Sequence, residues 1–332
     1  MLTRRQFLKY GGAAVASAAG LGLYSWQIEP HWPELVRRSM PLQFLPQALE
    51  GSTLLQISDI HVGPRVSSSY LIRALASAHD LAPDFVAFTG DFVSYRSAHE
   101  YRELARVLKA FPRGRLATVA ALGNHDYGPN WRHVDIADHI VRVAEDAGAV
   151  VLRNEVRSIG GLQFAGLADL WSPEFGEFGE RDPRTLLSPS PDTGTTRLPS
   201  HRAGADAALS TLTPGLPTVV LAHNPDAQDL PIWDGVRGWV LAGHTHGGQV
   251  KPPFLPPLIL PVRNKRYSSG EFAVGPGRTL YINRGLGHMI QVRFNVRPEL
   301  TLFTLGRAPS GPAVAWQHPN PNDPRRGTRG PT

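Results

Sequence analysis

The chain has 332 residues, 42% of them apolar, no cysteine and a formal charge of +6. That length carries one large core or two ordinary ones, and the missing cysteine excludes disulfides and thiolate metal sites. The charge sits at the ends: residues 1–42 and 307–332 each carry +3, while 43–306 hold 25 basic and 25 acidic residues. Solvated tails are therefore expected, and no nucleic-acid footprint.

The first residues read Thr3-Arg4-Arg5-Gln6-Phe7-Leu8-Lys9, followed by 13 small and apolar residues from Gly11 to Leu23. Such a run suits the hydrophobic part of an export signal and falls short of the roughly 20 residues a membrane span needs. The paired arginines resemble the twin-arginine address, which the translocation machinery reads on folded cargo. Residues 1–26 are thus expected to be a signal, either cleaved or retained as an anchor. Residues 27–50, with Pro30, Pro33, Pro41 and Pro46, read as an extended connector with a short helix near Glu34 to Arg38.

From there to residue 306 a single domain is expected, and its pattern turns regular. Short apolar runs at 54–57, 85–88, 117–121, 149–152 and 162–167 read as strands. Between them, helical spacing of Leu71, Leu75, Ala78 and Ala82 predicts a helix that Ser67 caps and Pro83 ends; further helices are expected over 99–110 and 133–147. A stretch rich in Pro, Gly, Ser and Thr over 171–200 reads as a long loop, a lid or an excursion. Strands return at 217–222, 238–242, 279–283 and 299–304, and residues 307–332 read as a disordered Pro/Gly tail. Alternating strands and helices with short connections argue an α/β sandwich whose functional loops gather at strand ends.

Five of those strands stop at polar groups: Asp59-Ile60-His61, Gly90-Asp91, Gly123-Asn124-His125-Asp126, His223-Asn224-Pro225 and Gly243-His244-Thr245-His246. Taken singly, each is ordinary turn chemistry. Their succession at strand ends is not, because imidazoles in glycine-flanked loops gain little from packing. Carboxylate, imidazole and amide donors together suit borderline divalent ions such as manganese, iron or zinc. One carboxylate shared by two ions holds them about 3.5–4 Å apart, where they clamp a phosphoryl oxygen and lower the pKa of a shared water. The glycines let the backbone pass close to such a centre.

The ordered set of five motifs resembles that of the calcineurin-like metallophosphoesterases, and most of all their exported bacterial YkuE/YaeI-like subgroup, over about residues 29–305. The resemblance implies a four-layer sandwich, two mixed β-sheets flanked by helices, with two metal ions on the loops at the strand ends. Carried over by motif, Asp59, His61, Asp91 and His246 would hold one ion and Asp91, Asn124, His223 and His244 the other, with Asp91 as the bridge. His125 would face the leaving-group oxygen. The implied function is hydrolysis of phosphate esters by a bridging hydroxide, phosphodiesters first.

This chain departs from the family at one point. Many members place a second aspartate three residues after the first; here Gly90-Asp91-Phe92-Val93-Ser94 puts a serine there. Either Asp126 or another acid supports His125, or substrates with good leaving groups are favoured. The serine also keeps open a non-catalytic, metal-binding envelope protein associated with membrane or wall. Among enzymes, a nucleotide-sugar lipid pyrophosphatase of the UDP-diacylglucosamine type is the alternative. Phe254, Leu255, Leu258 and Ile259 could line a groove for its acyl chain, or form an irregular packed crossover among their prolines. Arg284 could contact phosphate or be a surface arginine in a turn. The seven tryptophans show no spacing that suggests base stacking.

Overall fold

The computed structural model describes residues 3–94, 97, 99–175 and 204–308. Two six-stranded mixed sheets stack face to face, with helices on both outer surfaces. The strands are β1 (Glu34–Leu42), β2 (Thr53–Ile57), β3 (Phe85–Thr89), β4 (Ala117–Ala121), β5 (Val150–Val151), β6 (Glu155–Ile159), β7 (Leu162–Gly166), β8 (Thr218–Leu221), β9 (Gly238–Ala242), β10 (Gly270–Gly275), β11 (Arg278–Ile282) and β12 (Glu299–Arg307). The first sheet runs β1-β12-β2-β3-β4-β5 and the second β10-β11-β9-β8-β7-β6. In the first, only the β12–β2 pairing is antiparallel; in the second, the two edge pairings are.

The alternation of side chains across each pleat builds the layers. Leu54, Phe85, Ala87, Val119, Val219, Leu221, Trp239 and Leu241 point between the sheets and form the central core. Their neighbours Leu55, Ile57, Val86 and Phe88 turn outward under helices α2 (Ser68–Ser77), α3 (His99–Leu108) and α4 (Val134–Asp146). On the second sheet, Ala165, Val220 and Val240 face outward under α5 (Ala205–Ser210) and the loops beside it. Strands buried on both faces read as continuous apolar runs, which is why the central ones were visible in sequence.

Three of the four edge strands were not; the exception is β5, expected at 149–152. β1 occupies the segment expected to be a connector, and the helix expected near 34–38 is overturned: these residues pair in parallel with β12. Exposed Arg37 and Arg38 mask the strand pattern and also protect an edge from further pairing. β6 and β10 are edge strands too, each closing a hairpin with an inner neighbour. Ser67 sits at the N-cap of α2, yet its hydroxyl makes no cap bond and meets Ser69 Oγ at 2.9 Å.

At the N-terminus, α1 spans Arg4–Leu23, started by a Thr3/Gln6 capping box, and none of its residues is buried. No helix among the described residues is long and apolar enough to cross a membrane. Most of the loop expected over 171–200, and the tail from 309, lie outside the described residues.

Candidate metal centre

Asp59 and His61 follow β2, Asp91 follows β3, Asn124 and His125 follow β4, His223 follows β8, and His244 and His246 follow β9. Both sheets thus send their loops to one edge. Five of these residues have left-handed backbone: Asp59 (φ 52°), His61 (45°), Asp91 (59°), His244 (69°) and His246 (49°). For side-chain-bearing residues such conformations cost about 1–3 kcal/mol each, and they persist where surrounding bonds over-determine them. Here Asp59 N donates to Gly90 O at 2.9 Å, His61 N to Asp91 O at 3.1 Å and Gly243 N to His223 O at 3.0 Å. Two glycines are dictated by close approach: a Cβ on Gly123 would stand 2.2 Å from Asp91 Oδ1, and one on Gly243 2.1 Å from Asp59 Oδ2.

The result is two adjacent donor groups, Asp59/His61/His246 and Asp91/His223/His244, all buried. Asp91 Oδ2 lies 3.1 Å from His223 Nε2 and 3.4 Å from His61 Nε2, so a single oxygen faces both groups. His61 Nε2 and His246 Nε2 face each other at 3.0 Å. Two nitrogens bound about 2.1 Å from one ion at right angles stand about 3 Å apart, so the pair has the bite of two metal ligands. Asn124 is fully buried with neither amide atom hydrogen-bonded. Buried donors without partners are costly unless something else occupies them. The carboxylate, imidazole and amide set fits divalent ions.

Outer bonds fix which nitrogen of each ring faces inward. His223 Nδ1 contacts Thr89 O at 2.7 Å, leaving Nε2 to Asp91, and His244 Nε2 contacts Pro261 O at 2.9 Å, leaving Nδ1 to the group. Asp59 accepts from Ser58 Oγ at 2.5 Å and from His244 N at 3.1 Å. Burial lowers His61 and His244 to about 3, which keeps both imidazoles neutral and able to ligate at ordinary pH. Burial pushes the Asp91 carboxyl up, but His223, His125 and His61 outweigh it and hold it well below the usual range. Burial would also lower His223; Asp91 and Asp59 reverse that and raise it. Burial, with Asp91 adding to it and His223 opposing, raises Asp59 to about 7.

His125 stands beside this floor, its ring 5.0 Å from that of His61 and 6.1 Å from that of Trp131. Asp126 does not serve it. The Asp126 carboxylate accepts from Asp91 N, Phe92 N, Val93 N and Gly123 N at 2.9–3.2 Å and so ties two site loops together. His125 instead has a hydrogen bond to the backbone of Ser94, the position where the family's second aspartate is absent. Burial lowers its pKa, with Asp91 and that bond opposing.

Several residues around the site were not legible in sequence. Trp131 and Trp171 stack at 4.6 Å, and Trp171 meets the edge of His244 at 4.6 Å. Asp169, after β7, is fully buried with Oδ2 unpartnered; burial raises it to about 7, with His223 opposing. Arg293 is fully buried and donates to the carbonyls of Arg284, Gly285 and Gly287, while Gly287 N in turn donates to Asp59 O at 2.6 Å. No spacing joins these residues to the five motifs. Arg284 is partly buried, its guanidinium held by Glu299 and, at 2.9 Å, by Glu34.

Residues 52–248 match a family model described as calcineurin-like phosphoesterase. Over 313 residues the chain is 32% identical to the metallophosphoesterase YkuE of Bacillus subtilis (strain 168), covering 92% of this chain and 98% of that one. It is 31% identical to the phosphodiesterase YaeI of Escherichia coli (strain K12), covering 92% of this chain and all of that one. Similarity extends to the UDP-2,3-diacylglucosamine pyrophosphatase LpxG of Chlamydia muridarum (strain MoPn / Nigg), at 27% identity over 88% of this chain and 94% of that one.

Proposed function

The chain belongs to the calcineurin-like phosphoesterase family and is a phosphoric ester hydrolase; from that premise we propose that it cleaves phosphodiesters at a dinuclear centre, outside the cytoplasm. The observation that carries the reading is Asp91 Oδ2, within 3.4 Å of a histidine nitrogen from each donor group. Asp59, His61 and His246 would hold one ion and Asn124, His223 and His244 the other, with Asp91 facing both groups. Divalent ions such as manganese, iron or zinc, which accept the same donors, would supply Lewis acidity and an activated water at neutral pH.

The chain's own residues do the rest. Hydrolysis joins a water oxygen to phosphorus, breaks the bond to the ester oxygen and leaves a proton on that oxygen. His125 stands beside the donor groups, where it can deliver the proton. Trp131 and Trp171 stack on each other beside His125 and His244 and form one wall of the site. The twin-arginine start supports export of the folded protein, with the ions loaded before translocation, to the periplasm, envelope or outer membrane face.

The test is hydrolysis of bis-p-nitrophenyl phosphate with and without Mn²⁺, using Asp91→Asn as control. Turnover that requires metal and falls at least about a thousandfold in the variant is expected. Metal binding without turnover would instead identify a binding module of the envelope. A second reading, a lipid-linked pyrophosphatase, is favoured by the apolar groove beside His246 and by the likeness to LpxG.

A further inference from the structure

His246 has two sides. One faces the metal centre; the other lines a groove of about 470 Å³ whose walls include Val250, Leu258, Ile259, Met289, Ile290 and Val292. That volume lies in the range of small-molecule sites, and its lining is almost wholly apolar. Leu258, Ile259 and Ile290 are 66%, 77% and 67% exposed. Large aliphatic side chains left so open in one contiguous patch mark a binding surface. The patch continues across residues 289–293: Gln291 Nε2 donates to Trp26 O at 3.4 Å and Arg293 N to Ser25 O at 2.9 Å, and Trp26 and Ile28 are each about half exposed. From the same rim α1 leads away, with Phe7, Leu8, Val15 and Leu21 exposed. Arg65 donates to Met289 O at 2.6 Å, and Lys251 follows Val250, so cations border the apolar strip.

We propose that this groove is a subsite for one alkyl or acyl chain of the substrate, so that the phosphoester cleaved at the metal centre is that of an amphiphilic lipid. The inference rests on the phosphoesterase reading for the position of the phosphate, and on the groove alone for the chain. A groove that shares a candidate metal ligand, His246, with the donor group and is otherwise walled by aliphatic side chains fits a linear chain carried by the reacting phosphate. It offers little to a nucleotide, because almost no polar group lines it. The exposed aromatic and aliphatic residues at its outer end, flanked by cations, suit the boundary of an anionic bilayer.

The experiment uses the full chain, metal-free, and a series of alkyl phosphates that lengthen by one methylene, read by displacement of a fluorescent fatty-acid probe. Affinity should rise by about fourfold per methylene until the groove is filled. Ile290→Asp and, separately, Leu258→Asp should flatten that slope; both positions are open to solvent, so the fold tolerates the change. Affinity independent of chain length, or an undiminished slope in both variants, overturns the proposal. Because these readouts need no turnover, they stand apart from bis-p-nitrophenyl phosphate hydrolysis, whose failure would remove the phosphoesterase reading instead. Repeating the series in phosphatidylcholine vesicles separates the sources. Binding that follows surface density supports a bilayer lipid, and binding that follows total concentration supports a dispersed amphiphile.

Discussion

From Gly243 to His246 the chain is buried, twice left-handed at non-glycine residues, with backbone bonds to Asp59 and His223 and a side-chain bond from His244 to Pro261. A few residues on, Phe254, Leu255, Leu258 and Ile259 project into solvent at 56–106% exposure. Thr245 and His246 of the first and Leu258 and Ile259 of the second border the same opening. In the first, groups that must hold charges at fixed separations are over-determined by backbone bonds and steric fit. In the second, apolar side chains act through area, which has no direction and needs no such fixing. The floor tolerates almost no displacement, whereas the wall can change its side chains and keep its use.

The largest expected effect lies at the floor's edge. His125→Ala should lower kcat on a diester with a poor leaving group by about 10²–10⁴-fold, with a smaller loss for p-nitrophenolate, which departs without help. Metal content, read by elemental analysis, should not change. If it fell with the activity, His125 would belong to the ligand set and the boundary drawn around the floor would be wrong.

Next is Asp126→Ala, which removes a carboxylate that reaches the donor groups only through the backbone N–H of Asp91. It strips the acceptor from four buried N–H groups of the Asp91 and Asn124 loops. Unmet buried donors cost about 1–3 kcal/mol apiece, and relaxation recovers part, so a loss of about 3 kcal/mol in urea unfolding is expected. Asp126→Asn, which keeps one acceptor oxygen, should lose less. Equal stability of all three proteins would show that the loops do not depend on this carboxylate.

The same contrast explains what the sequence disclosed. Donor residues stand out because imidazole, carboxylate and amide recur after apolar runs, and Asp59, Asp91 and His223 each follow a strand buried on both faces. Edge strand β1 was hidden because its exposed residues carry charge where a core strand alternates. Asp126 was legible as a residue but not in its role, since only the fold brings residues 91–93 to its oxygens. Trp131 and Trp171 lie on separate loops, and Arg293 reaches Asp59 only through a third segment, so no local period joins them. Of the wall, Leu258 and Ile259 do line the groove, whereas Met289, Ile290 and Val292 come from a loop with no repeating pattern.

A smaller effect separates the two donor groups by pH. Asp59 is raised to about 7 without metal, so below that pH an arriving ion must displace its proton. Affinity at Asp59/His61/His246 should therefore rise about tenfold per pH unit below about 7 and level off above it. His61 is lowered to about 3 and contributes no proton in that window. His223 is raised, so the other group should go on releasing a proton above pH 7. Titration calorimetry with Mn²⁺ in buffers of different ionisation heat counts these protons; no release at pH 6 would contradict the assignment.

The smallest effect is predicted at the wall, and its smallness is the point. Phe254 is fully exposed, does not line the groove, and has a left-handed backbone at φ 66° among Pro252, Pro253, Pro256 and Pro257. Phe254→Ser removes a ring that shields little of the protein, so the urea midpoint should not move. Hydrolysis of bis-p-nitrophenyl phosphate should not change either, because that ester has no chain to reach the wall. Binding to anionic vesicles should weaken if the ring enters a bilayer, as aromatic residues at an interface do. A large drop in stability would mean that this stretch packs as a crossover after all, and the division between a fixed floor and a free wall would have to be redrawn at Val250.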